Sequence, residues 1–285
     1  MYQFTNAVGM SDIVAVVFNP RENKCISMVI SKIKTYVILL FVIVISAGIF
    51  FFFSRKTQIN PVTGKKQYII LKPHEEVALG IQSAPDIAVK FGGLYGNTDL
   101  QNRIKNIGRK LAAVSQVSKA PYQFDFHVLA DSQTINAFSF PGGQVFITKG
   151  LLDILKTDDE LAALLSHEIG HVIARHAGEK LSEYTNFREF SNDTIHISEY
   201  SSEAMNEYII NLTNINFDDS QEVEVDHFGI IYMKASGYNP AVLPEILRKL
   251  EAQSESRQIE YIQKHPVSES RLENIQAQVK KVDKR

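Results

Sequence analysis

The sequence predicts an α+β domain, mostly helical, with a small sheet of about three strands behind one N-terminal membrane-spanning helix. Three observations carry this. Apolar residues recur at helical spacing, as at Leu161, Leu164, Leu165, Ile169 and Val172. Strand-like alternation is confined to residues 122–148. Residues 35–53 form an uncharged apolar run long enough to cross a bilayer core as a helix. The 285 residues, 45% of them hydrophobic, leave room for one globular domain plus that appendage. A net charge of −2 provides no basic excess for nucleic acid.

Residues 1–34 read as a mixed N-terminal segment. Met28 is an alternative start that would leave a compact targeting sequence. Residues 35–53 read as an uncleaved transmembrane signal anchor, because Phe50 to Phe53 make a poor cleavage site. The basic residues balance across it: Arg21, Lys24, Lys32 and Lys34 before, Arg55, Lys56, Lys65 and Lys66 after. Charge therefore sets no orientation. Cys25 is the only cysteine and precedes the span, so the downstream part forms no internal disulfide.

Residues 54–72 read as a linker with a turn at Asn60-Pro-Val-Thr-Gly64, and residues 73–285 as the domain. Pro73, Glu75 and Glu76 mark a helix start. A second amphipathic helix runs over 99–117, with Leu100, Ile104, Ile107 and Leu111 on one stripe. Strands follow at 122–129, 135–140 and 144–148, the last two around Pro141-Gly142-Gly143. His127 is expected on a strand face, not as a ligand. An edge strand here would hold an extended peptide by backbone pairing, unless the hairpin is only structural.

Residues 158–176 contain His167-Glu-Ile-Gly-His171 on a helix with acidic residues at its start. Histidines four apart share one helical face and can bind one metal ion, for which zinc suits two nitrogen ligands. Glu168 beside them is placed to take a proton from a metal-bound water. His176 falls off the metal-facing register and is expected to be structural. Another helix, over 220–237, puts Glu222 and Asp226 on one face and ends at Gly237. That spacing fits a metal ligand with a carboxylate orienting a ligand histidine, and fits a solvated acidic face equally well. Between the two helices, 183–219 is polar, with a helix at 198–212, and reads as either a lid or a solvated connection. Asn192 and Asn211 head glycosylation sequons, used only in a host that modifies them. Residues 240–250 and 268–279 read as helices packing on the domain.

The pair His-Glu-x-x-His and Glu222-x-x-x-Asp226 resembles the HtpX and CAAX-prenyl-protease type zinc metallopeptidases, most of all their BepA- and LoiP-like soluble-domain bacterial members. Asn60-Pro-Val-Thr-Gly-Lys65, Asn136-Ala-Phe-Ser-Phe-Pro-Gly-Gly143, Ile173-Ala-Arg-His176 and His265-Pro266 with Arg271-Leu272 match the same family. The resemblance implies a zincin-like fold and one zinc ion held by His167, His171 and Glu222. It implies Glu168 as general base and Asp226 as orienter, together the catalytic pair. His265 matches a switchable fourth ligand, the alternative being packing beside Pro266. Arg271 is placed either near a transition-state oxyanion or as a clamp on the fold. Asn136 and Ala137 would lie nearest the scissile bond. The implied activity is hydrolysis of unfolded or misassembled envelope proteins by a unit facing the periplasm from a single-pass inner-membrane anchor. The alternative is a zinc-stabilised chaperone or assembly factor with little turnover. A membrane-embedded prenyl protease is excluded by the single span.

Overall fold

The computed structural model describes residues 20–183, 202–254 and 258–282. The chain divides into two compact units, Met1–Lys56 and Thr57–Arg285. The first holds helix α1, Pro20–Lys56. It starts well before residue 35, with the only proline of that stretch at its first position, where no helical N–H is needed. Its segment Ser31–Phe50 has a mean hydropathy of 2.4, long and apolar enough to cross a membrane. Thr35 and Ser46 donate their hydroxyls to the carbonyls of Ser31 and Val42, which satisfies them within the helix.

The second unit begins inside the stretch expected to be linker. Strands β1, Thr57–Ile59, and β2, Lys66–Tyr68, form an antiparallel hairpin. Asn60 and Gln67 are buried in it and donate to the carbonyls of Ile173 and Ala174. These strands are three residues long and largely polar, so no alternation announced them.

Helix α2, Pro73–Lys90, opens as expected, with the Glu75 carboxylate accepting from the Lys72 N–H at 2.6 Å. Helix α3, Thr98–Ala112, is capped by Asn97 and buries Ile104, Ile107 and Leu111. The single helix expected over 99–117 is interrupted. A tightened turn from the Val114 N–H to the Leu111 carbonyl ends α3, and the short α4, Ser115–Ser118, follows.

Strands β3, Asp125–Leu129, β4, Ala137–Ser139, and β5, Gln144–Thr148, form a sheet in the order β3-β5-β4. β3 runs parallel to the fully buried β5, and β4 antiparallel to it. The β4–β5 turn needs glycine at Gly142: its φ is 85°, and an added Cβ would lie 2.3 Å from Val77 Cα. The pairs Asn136–Thr148 and Phe140–Gln144 are hydrogen-bonded. By antiparallel alternation, the backbone groups of Ala137 and Ser139 face the outer edge of β4.

The rest of the described chain is helical: α5, Lys149–Leu152; α6, Asp158–Ala174; α7, His176–Glu183; α8, Ser202–Thr213; α9, Asp219–Ala235; α10, Val242–Ser254; α11, Glu260–Lys264; and α12, Glu269–Val282. α6 is the centre of the core. Its Leu161, Leu164, Leu165 and Ile169 pack with Ile104, Phe126, Val145, Tyr232 and Leu247. Burial on all sides is why it is apolar around most of its circumference. Gly237, with φ 74°, follows α9 as expected. The helix expected at 198–212 is α8. The other part of the expected lid, 184–201 with Asn192, lies outside the described residues.

Candidate metal centre

The centre is built where α6 and α9 cross. Thr157 and Glu160 cap α6 reciprocally: the Thr157 hydroxyl accepts from the Glu160 N–H, and the Glu160 carboxylate accepts from the Thr157 N–H. Gly170, inside the His-Glu-x-x-His motif, is the contact point with α9. A Cβ there would lie 2.9 Å from Val225 Cβ. That close approach brings Glu222 of α9 beside His167 and His171.

Four buried side chains converge: His167, His171, Glu222 and His265, each no more than 1% exposed. His167 Nε2 is 3.2 Å from His171 Nε2 and 3.2 Å from His265 Nδ1. Glu222 Oε1 is 3.0 Å from His265 Nδ1 and 3.3 Å from His171 Nε2. Donors at about 2.05 Å from a tetrahedral ion stand about 3.3 Å apart, so this set fits a four-coordinate cation. Arg271 Nη1 lies 2.8 Å and His167 Nε2 3.4 Å from Glu222 Oε2, which has no partner in hydrogen-bonding geometry among the described residues.

The four donors are strongly coupled electrostatically. Burial works against ionisation of Glu222, but the neighbouring His265 and His167 hold its pKa well below the usual carboxylate range. Burial, with the charges of His167 and His265, pushes His171 well below its ordinary value despite Glu222, so its lone pair is free. His167 is also pulled down by burial, but Glu222 and Asp226 outweigh this and raise it to about 9.

Asp226, one turn after Glu222, accepts from His167 Nδ1 at 3.0 Å. Arg271 holds both Asp226 oxygens and also donates to the Pro266 carbonyl. It thus contacts Asp226 and Glu222 together. Glu168 is buried beside the cluster. Its Oε2 accepts from Ser139 Oγ at 2.9 Å, and its Oε1 lies 3.7 Å from His265 Nε2 with no hydrogen-bond partner among the described residues. Ala137 lies in β4, and Asn136 immediately precedes it. Asn136 is buried and donates to Glu260 at 3.1 Å. His127 lies on β3, stacked on Phe146 and bonded to Gln144, apart from the cluster.

Four contacts were not visible in the sequence. Ser139 reaches Glu168 from β4. Phe217 stacks on His171 with ring centroids 3.9 Å apart. Tyr261 stacks on His265 at 4.5 Å, and its N–H donates to the Ile135 carbonyl. His176 is not one of the four clustered donors, but its Nδ1 is 3.1 Å from His171 Nδ1. It stands off the metal-facing side, against the His171 nitrogen that points away from the cluster. Arg175 breaks helix α6 with φ 60°, and the break turns His176 back towards His171.

Comparisons with known proteins agree with this geometry. Over 189 residues the chain is 28% identical to the mitochondrial metalloendopeptidase OMA1 of Schizosaccharomyces pombe, covering 62% of this chain and 54% of that protein. It is 30% identical over 185 residues to the beta-barrel assembly-enhancing protease of Yersinia pestis, covering 61% of this chain and 37% of that one. The same enzyme of Escherichia coli strain K12 also matches at 30%. The chain thus spans between about a third and a half of these relatives' lengths. The model of Peptidase family M48 matches residues 98–279, a stretch that contains the crossing of α6 and α9 and all four clustered donors. With most of its length matched and the motif pair in one buried cluster, the chain belongs to peptidase family M48.

Proposed function

We propose that this protein is a zinc-dependent metalloendopeptidase that hydrolyses unfolded or misassembled envelope proteins. Its catalytic unit faces the periplasm, anchored in the inner membrane by α1. The observation that carries the reading is a buried four-donor cluster beside a separate carboxylate, Glu168, whose Oε1 lies 3.7 Å from His265 Nε2 with no hydrogen bond among the described residues. Membership of the family and the protease names of the relatives support it. The placement on the periplasmic side follows from the likeness to envelope proteases, since charge around the span is balanced.

His167, His171 and Glu222 would hold the zinc, with His265 as a displaceable fourth ligand. Zinc held there would supply Lewis-acid chemistry, polarising a carbonyl and lowering the pKa of a water towards about 7. Glu168 takes the proton of the attacking water on Oε1 and returns it to the leaving amine. Asp226, gripped by Arg271, fixes the His167 ring so that Nε2 faces the cluster. The outward backbone groups of Ala137 and Ser139 take an extended substrate as an added strand, with Asn136 beside the bond to be cut. Such pairing reads backbone and not side chains, which suits unstructured substrates. The test is Glu168→Gln in the purified full chain. Zinc content stays at one per chain, while cleavage of casein falls at least about a hundredfold. Undiminished cleavage overturns the mechanism.

A second reading is a zinc-stabilised chaperone or assembly factor with an autoinhibited protease site. The position of His265 within the donor cluster favours it. Casein cleavage by His265→Ala separates the two. Activity released in that variant alone marks an autoinhibited enzyme. Inactivity of both forms with client binding intact marks the chaperone.

A further inference from the structure

Each histidine of the motif has its ring anchored through Nδ1, but by different chemistry. For His167 the anchor is Asp226. For His171 the atom at hydrogen-bonding distance is His176 Nδ1, 3.1 Å away. His176 is 1% exposed, and its other nitrogen, Nε2, lies 3.4 Å from Glu224 Oε2. Glu224 in turn accepts from Lys65 Nζ at 2.6 Å, and Lys65 is exposed at the turn of the β1–β2 hairpin. The chain of contacts therefore runs from the buried cluster to the surface: His171, His176, Glu224, Lys65.

Counting protons fixes its direction. If the Nε2 of His171 offers its lone pair to a cation, the ring proton sits on Nδ1 and needs an acceptor. His176 Nδ1 accepts only if the His176 proton is on Nε2. That tautomer is favoured by a carboxylate facing Nε2, which Glu224 supplies. The hairpin that holds Lys65 is itself fastened to the end of α6, through Asn60 on the Ile173 carbonyl and Gln67 on the Ala174 carbonyl. This gives the Asn60-Pro-Val-Thr-Gly-Lys65 stretch a purpose that its turn chemistry alone does not.

We infer that His176 and Glu224 are positioning residues for the metal centre: they fix the tautomer and ring orientation of His171, and Lys65 on the hairpin holds the outer end of the chain. The inference rests on the zinc reading above and extends it to residues outside the donor set. Partners of this kind change metal affinity by about 10- to 100-fold when removed.

The experiment measures zinc affinity by chelator competition on the full chain in detergent, alongside thermal unfolding of the metal-free protein. His176→Phe keeps ring volume but accepts no hydrogen bond, so affinity falls by about 10- to 100-fold. In His176→Gln the side-chain carbonyl can accept from His171, and affinity returns to within about threefold of native. A packing role predicts the opposite order, since phenylalanine fills the site better than glutamine. Equal zinc affinity in native and His176→Phe overturns the inference, as does an equal loss in both variants. If His176→Phe does not fold, Glu224→Ala at the half-buried outer position decides. Weakened zinc binding with unchanged metal-free unfolding supports the chain, and unchanged binding overturns it. Failure of the native protein to bind zinc instead defeats the underlying metal reading, so the two failures are distinct.

Discussion

Arg271 closes on Asp226 as a two-pronged grip, Nε to Oδ2 at 2.7 Å and Nη2 to Oδ1 at 2.9 Å, with both residues buried. Burial pulls against the charge of each. Their pairing restores it, lowering the Asp226 pKa and raising that of Arg271. Removing one member leaves the other ionised away from water. Arg271→Ala is therefore expected to destabilise the metal-free protein by about 3–5 kcal/mol, read from its urea midpoint. Added zinc recovers part of this loss, because it compensates the neighbouring Glu222. A loss under about 1 kcal/mol would show that the pair contributes little.

Gly170 is fixed by contact and not by backbone conformation, since it lies within the helix α6. An added methyl meets Val225 at both Cβ and Cα, so one helix must give way. Gly170→Ala is expected to cost about 1–3 kcal/mol by overpacking and to weaken zinc binding through the displaced Glu222. Thermal unfolding and metal titration of this variant check both. Unchanged values in each would mean that the crossing is looser than its geometry implies.

Glu160 supplies an acid-sensitive contribution remote from the donors. Burial raises its pKa, but the Lys249 ammonium and the N–H groups of Thr157 and Lys156 outweigh this and lower it from 4.5 to about 2. A carboxylate depressed in the folded state stabilises the protein above its unfolded pKa, and that stability disappears as pH falls through the folded value. The window is about pH 4.5 down to about 2. Glu160→Gln should lose about 2 kcal/mol at pH 7 and show a flatter decline across that window than the native protein. Parallel declines in chemical denaturation would remove Glu160 from the account.

Much of this was readable in advance because it depends on neighbours in sequence. The acidic residues Asp158, Asp159 and Glu160 announce the start of α6, Gly237 the end of α9, and the four-residue spacings place His167 with His171 and Glu222 with Asp226. Contacts set by the packing of separate elements were hidden. The short polar hairpin at Thr57–Tyr68 carries no periodic signal, yet it fastens the end of α6. Helix α11 spans five residues, too few for a helical pattern to register. The contact of His176 with His171 was hidden for a simpler reason. A helical wheel is valid only while the helix continues, and the left-handed Arg175 ends it one residue earlier.

The left-handed Arg175 costs about 1–2 kcal/mol that a glycine would avoid. Its side chain offsets this by bonding Glu76, Gln58 and the Leu71 carbonyl, all beyond α6. The bend that aims His176 is thus latched from segments about a hundred residues upstream. A lesion at Glu76 or Gln58, far from any donor atom in the primary chain, would loosen the imidazole geometry and masquerade as a defect in metal loading.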